Sequence, residues 1–233
     1  MMPLNNNISI IINDLKKYDY CFITSWFFNG VKDYDLLFIW AVFNEFSQVN
    51  IKAQEELLRI LRLKWWHDQL EKTLNSTNPT HHNNTPLLLL AREVKNKDKC
   101  LKIIKSICRL YELLAAAEIE LIEFERQLDE SFTLTASLFS INVTCKDIIQ
   151  NYWLTLHADR LSSYLEIKNI TITSLIQDSL LQYSNLLPNE GFAKYYLATI
   201  CYHLNYIAKN SLTIPAFNIK LRILLAACKQ KLR

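Results

Sequence analysis

An all-α fold is the architecture this sequence predicts, and three observations carry it. Its 233 residues include two glycines and five prolines, far short of the roughly 16 glycines of an average composition, which argues against collagen, a hairpin-rich sandwich and a glycine-cradled nucleotide fold. Half of the residues are hydrophobic, enough to bury a core within one domain spanning residues 1–233. Apolar residues recur at helical spacing along the chain, in about ten segments, without a repeating unit or sustained heptads, so the expected form is one helical bundle.

The first segment, 5–17, sets Ile8, Ile11, Ile12 and Leu15 on one stripe, the pattern of a helix packed on one side. Residues 19–28 form a second apolar piece, stopped at Asn29-Gly30, where glycine supplies the left-handed conformation favoured at a helix end. Asp33 caps the next helix, 34–49, which is apolar almost all round and therefore central. A long amphipathic helix over 52–74 is expected to turn Leu57, Leu58, Leu61, Trp65 and Leu70 inward. Residues 75–85, with Pro79, His81 and His82, read as a flexible loop, and Pro86 suits the first turn of the helix after it. Further helices are expected over 86–94, 99–128, 131–142, 146–165, 173–187, 191–208 and 215–232.

Charge and cysteine usage narrow the function. The 26 basic and 23 acidic residues leave a net charge of +3, which gives no general polyanion-binding surface and argues against a nucleic-acid partner. The six cysteines, Cys21, Cys100, Cys108, Cys145, Cys201 and Cys228, are scattered in apolar stretches and read as buried free thiols. No basic segment precedes an apolar stretch at the N-terminus, and the longest apolar run, 36–43, is far shorter than the ~18 residues of a membrane span. A cytoplasmic location follows. His81 and His82 have no further ligand nearby and read as solvated loop residues rather than a metal site.

Two features hold chemical potential. Glu118, Glu120, Glu123, Glu125, Asp129 and Glu130 make the densest carboxylate cluster; Glu125 and Asp129, four apart, share a helix face and suit a hard cation, or form a solvated acidic face. Five tryptophans, eleven tyrosines and eleven phenylalanines can line an apolar tunnel or fill an ordinary core. No H-E-x-x-H, G-x-S-x-G, Walker or G-x-G-x-x-G pattern occurs.

Residues 37–49, Leu-Phe-Ile-Trp-Ala-Val-Phe-Asn-Glu-Phe-Ser-Gln-Val, and residues 62–71, Arg-Leu-Lys-Trp-Trp-His-Asp-Gln-Leu-Glu, resemble the squalene/phytoene synthase family, the second through that family's R-L-x-W-W-x-x-x-L-E. Tyr18-Asp19-Tyr20-Cys21-Phe22, the stretch 121–129 and the small-residue segment 131–140 fall in matching order. The resemblance implies an isoprenoid-synthase helical fold whose active members condense prenyl diphosphates, holding Mg²⁺ with two aspartate-rich motifs that neutralise the departing diphosphate. Where the first motif belongs this chain has Gln48 and Asn50, and where the second belongs, 154–163, it offers only Asp159. An amide cannot supply a carboxylate's charge at a Mg²⁺ site.

With both metal motifs altered, the resemblance is nearest to the branch of the mitochondrial respiratory complex I assembly factor and its bacterial relatives, on Phe43-Asn44, Gln48-Val49 and the tryptophan pair. It implies a pseudoenzyme: a monomer without a cofactor that binds an isoprenoid lipid or a respiratory-complex subunit during complex assembly. The implied pocket is built from Phe43, Asn44, Gln48, Trp65, Trp66, Glu125, Asp129 and Trp153. Two alternatives stand beside it. One is an active, Mg²⁺-dependent prenyltransferase of terpenoid synthesis with a metal site rebuilt from Glu118, Glu123, Glu125 and Asp129; the other is a plain helical interaction module. The basic, apolar segment 215–233 adds an expected peripheral contact with an anionic inner membrane surface.

Overall fold

The computed structural model describes residues 6–28, 33–76, 85–116, 120–138, 143–158, 161–185 and 191–210. Every regular element among them is a helix: α1 (Asn6–Tyr18), α2 (Tyr20–Phe28), α3 (Tyr34–Lys52), α4 (Glu56–Asn75), α5 (Pro86–Ala91), α6 (Lys97–Ala115), α7 (Leu121–Leu138), α8 (Val143–Leu156), α9 (Ser162–Ile167), α10 (Ile172–Asn185) and α11 (Gly191–Asn210). The Asn29-Gly30 stop, most of the 75–85 loop with its two histidines, Glu118, Asp159 and the basic segment 215–233 lie outside the described residues. No described helix is long and apolar enough to cross a membrane.

Contacts divide the chain into two compact units, one of residues 1–18 and 33–138, the other of residues 19–32 and 139–233. In the first, α3 is the hub. Leu36 through Phe43 are all buried, as its unbroken apolar run requires, and α1, α4, α5, α6 and α7 all pack on it. Asp33 caps α3, its carboxylate accepting from the backbone N–H groups of Asp35 at 3.0 Å and Leu36 at 3.1 Å. Asp35 is itself buried and accepts from the backbone N–H groups of Lys95 (2.8 Å) and Asn96 (3.1 Å) and from the Asn96 amide (2.6 Å). One carboxylate thus ties the start of α3 to the turn between α5 and α6. The α1 stripe Ile8, Ile11, Ile12 and Leu15 is buried as expected.

Several element boundaries differ from expectation, three of them in ways that change the packing. The helix expected over 99–128 ends at Ala115, where Ala116 turns extended at φ −64°, ψ 149°, and α7 folds back along α6. A straight helix over both segments would run about 60 Å, which would prevent their apolar faces from covering each other. Ser131, where a new helix was expected to open, instead lies inside α7, fully buried, with its hydroxyl 2.9 Å from that of Ser106 on α6. The helix expected over 146–165 is two, α8 and α9.

In the second unit α2 and α8 pack on α11, and α10 packs on both α8 and α11. With glycine almost absent, α9 ends on asparagine: Asn169 takes φ 54°, its N–H reaches Glu166 O at 3.0 Å and the N–H of Ile170 reaches Leu165 O at 2.8 Å. This is the paired bonding of a Schellman turn, with asparagine at the left-handed position. At the start of α10, Thr171 and Ser174 exchange backbone-to-hydroxyl bonds of 3.1 and 3.0 Å, a reciprocal cap.

Candidate functional site

The two segments carrying the resemblance meet in the first unit because only a short turn separates α3 from α4. Ala53 is extended and its N–H closes on Val49 O at 3.1 Å, ending α3; Glu55, also extended, opens α4. Residues at i, i+3, i+4 and i+7 of α3 (Glu45, Gln48, Val49, Lys52) then face residues at i, i+3 and i+4 of α4 (Arg62, Trp65, Trp66). They enclose a recess of about 280 Å³, just under the range usual for small-molecule sites. The Trp65 and Trp66 rings meet edge to face with centroids 5.0 Å apart. Burial pushes the Glu45 carboxyl up, opposed by the Lys52 cation and by the Trp66 indole bonded to it.

Of the residues expected in the pocket, the structure brings Gln48, Trp65 and Trp66 together. Phe43 lies in the core between Trp40, Tyr111 and Phe132, with centroid distances of 5.4, 6.4 and 5.8 Å. Asn44 is half-buried on α3; Glu125 and Asp129 stand on α7, half-buried and exposed, and neither lines the recess. Trp153 belongs to the second unit, where it stacks on His157 at 4.3 Å. Glu45, Lys52 and Arg62 complete the lining. Their helical spacing from Gln48 and Trp66 was the available signal.

Neither tryptophan of the pair is core, and the expected inward face of α4 needs correction. Leu63, Leu70 and Leu74 are buried, whereas Leu57, Leu58, Leu61 and Trp65 are 67%, 38%, 55% and 45% exposed. At about 100° per residue the two sets fall on opposite sides of the helix. The helix therefore has two apolar faces, and the smaller one is the core face.

No protein-family model, curated protein or solved structure matches this chain.

The carboxylates considered for a rebuilt metal site are differently engaged. Glu123 is bound by Arg126, at 2.8 Å, and lies 3.7 Å from Arg109; Arg126 also reaches Glu130 at 3.1 Å. The Arg126 guanidinium holds the Glu123 carboxyl below its ordinary range. Among the described residues, the group able to offer three ligand atoms to one cation is His67, Asp68 and Glu71, mutually within 4.8 Å. Two of the three are exposed, where water competes for the ion.

The second unit contains a buried polar network. Tyr196 donates to the Asp19 carboxylate at 2.7 Å. Cys21 Sγ lies 3.4 Å from Tyr152 Oη and 3.9 Å from His203 Nδ1, and Tyr152 Oη lies 3.0 Å from the same nitrogen. Burial pushes the Cys21 thiol well up and the His203 imidazole down to about 4. Both groups therefore rest neutral near pH 7, the opposite of the thiolate and imidazolium of a cysteine nucleophile. Burial likewise raises Cys100 and Cys108 to about 12, as suits structural thiols.

Proposed function

We propose that this chain is a non-condensing binding factor that docks on a respiratory-complex subunit through the exposed apolar side of α4. The observation that carries the reading is the side formed by Leu57, Leu58, Leu61 and Trp65, bordered by the recess at Trp66 and Arg62. Soluble chains seldom leave large aliphatic and aromatic side chains exposed in one contiguous stripe unless something covers them. Within this stripe, Trp65 beside Arg62 supplies two of the side-chain types that most often anchor protein interfaces. A recess of about 280 Å³ is a better fit for one side chain of a protein partner than for an extended lipid.

Support against condensation comes from the residues at the first metal motif. The Asn50 amide donates to Tyr111 O at 3.3 Å, joining α3 to α6, and Gln48 lines the recess beside Trp65 and Trp66. The Asn50 bond needs an N–H donor, which a Mg²⁺-binding carboxylate at that position would lack.

The test has two arms. Incubated with farnesyl or geranylgeranyl diphosphate and Mg²⁺, the protein is expected to form no condensed product; robust product would overturn the reading. A photo-reactive residue replacing Leu61 in the native host is expected to cross-link to a respiratory-complex subunit, while the same residue replacing Lys72 is not. Equal cross-linking from both positions, or none from position 61, would also overturn it.

A further inference from the structure

A larger cleft, of about 660 Å³, opens in the first unit between α4, α6 and α7. It lies in the usual size range of small-molecule sites. Its walls hold five basic side chains: Lys64 of α4, Lys102, Lys105 and Arg109 of α6, and Arg126 of α7. Three carboxylates, Glu112, Glu123 and Glu130, share the lining, and each is engaged by an arginine. Arg109 reaches Glu112 at 3.5 Å and Glu123 at 3.7 Å; Arg126 reaches Glu123 at 2.8 Å and Glu130 at 3.1 Å. Two arginines and three glutamates form one lattice, and among the described residues no carboxylate lies within ion-pair distance of Lys64, Lys102 or Lys105. The cleft therefore presents three ammonium groups beside a wall of oriented carboxylate oxygens.

Its base is polar as well. Ser106 and Gln127, 4% and 3% exposed, both line the cleft. Gln127 Nε2 donates to Ser106 Oγ at 2.6 Å and to Ser106 O at 3.2 Å, while its carbonyl accepts from Arg126 at 3.4 Å. Buried polar groups bonded in this way are held in fixed orientations. Apart from His67, no ring lines the cleft, so a nucleobase would find little to stack on, and Leu134 and Cys108 offer little surface for a long hydrocarbon tail.

We propose that this cleft binds a small phosphate ester of a polyol, its phosphate held by Lys64, Lys102 and Lys105 and its hydroxyls donating to the glutamate oxygens of the lattice. Ammonium groups on long flexible stems suit a phosphate approached as a point charge, and carboxylates accept hydroxyl hydrogen bonds strongly. The same chemistry belongs to a free phosphorylated polyol and to the glycerophosphate headgroup of phosphatidylglycerol. The site is independent of the α4 apolar side, so either proposal can fail alone.

Calorimetric titration of the full chain with glycerol 3-phosphate and with inorganic phosphate tests it, with vesicle flotation on phosphatidylglycerol against phosphatidylcholine as the lipid arm. Glycerol 3-phosphate is expected to bind at least about tenfold more tightly than inorganic phosphate and to weaken at least about tenfold in the exposed double variant K102Q/K105Q, but not in K72Q, which lies outside the cleft. Because glutamine at these exposed positions leaves the core untouched, an unchanged thermal midpoint separates lost binding from lost folding. Flotation with phosphatidylglycerol that glycerol 3-phosphate displaces assigns the headgroup as the source; binding of glycerol 3-phosphate without flotation assigns the free ester. No binding of glycerol 3-phosphate up to about 10 mM, equal affinity for inorganic phosphate, or indifference to K102Q/K105Q would each overturn the proposal.

Discussion

Asp33 and Asp35 sit two residues apart, and their environments assign them different tasks. Asp33 caps a helix through two backbone N–H groups, so D33A is expected to cost about 1 kcal/mol in urea unfolding, the usual value of such a cap. Asp35 holds a distant turn through three bonds at a buried position. Its removal strands two backbone donors and an amide, and D35A should cost about 3 kcal/mol. A smaller loss in D35A than in D33A would refute this assignment. In the second unit, His203 is held neutral by burial, with a native pKa of about 4 against the ordinary 6.5. Between those values the unfolded chain binds a proton that the native chain does not, so stability falls as pH drops from 6.5 toward 4 and is fully present above that window. The contribution is at most on the order of 3 kcal/mol. In H203Q the slope of unfolding free energy against pH across that window should flatten; an unchanged slope would assign the acid sensitivity elsewhere.

Helix α4 shows what a periodicity argument can and cannot decide. Its sequence offers two apolar stripes, and the larger one, through Leu57, Leu61 and Trp65, was expected to be the core face; the buried one runs through Leu63, Leu70 and Leu74. Spacing locates both stripes but carries no sign for which one a neighbour covers, and that choice is made by α6, which packs along α4. L61K and W65K should accordingly shift the thermal midpoint little, whereas L70A should cost about 2–5 kcal/mol. If L61K destabilises as much as L70A, the assignment of faces is wrong. Where one stripe dominates, as in α1, or where the helix is apolar all round, as in α3, the burial was legible directly. The break at Ala116 was not, because no glycine or proline marks it, and neither was the continuity of α7 through Ser131, whose hydroxyl bonds across to Ser106 on α6. For the candidate site, Gln48, Trp65 and Trp66 were visible as motif residues, while the cleft lysines were not: Lys102, Lys105 and Arg109 form a basic stripe on α6 that looks like any solvated face until α7 folds back to wall it.

At the level of the whole molecule, the path of the chain matters more than any single contact. The second unit takes α2 from near the start of the sequence and α8 to α11 from its end, and α2 supplies Cys21, Phe22, Ile23 and Trp26, all buried. A fragment of residues 139–233 should therefore fail to fold cooperatively by circular dichroism, and a peptide of residues 19–32 added in trans should restore a sharp transition. A fragment that folds equally well without the peptide would show α2 to be dispensable. Discontinuity also sets a timetable. Cys21 bonds to Thr199, 178 residues later, and at roughly 5–20 residues per second a ribosome needs about 10–35 s to make the missing partner. Throughout that interval α2 emerges as an apolar segment whose neighbours have not been synthesised. Chaperone occupancy on stalled nascent chains should accordingly peak once α2 has left the exit tunnel and decline only after α11 emerges.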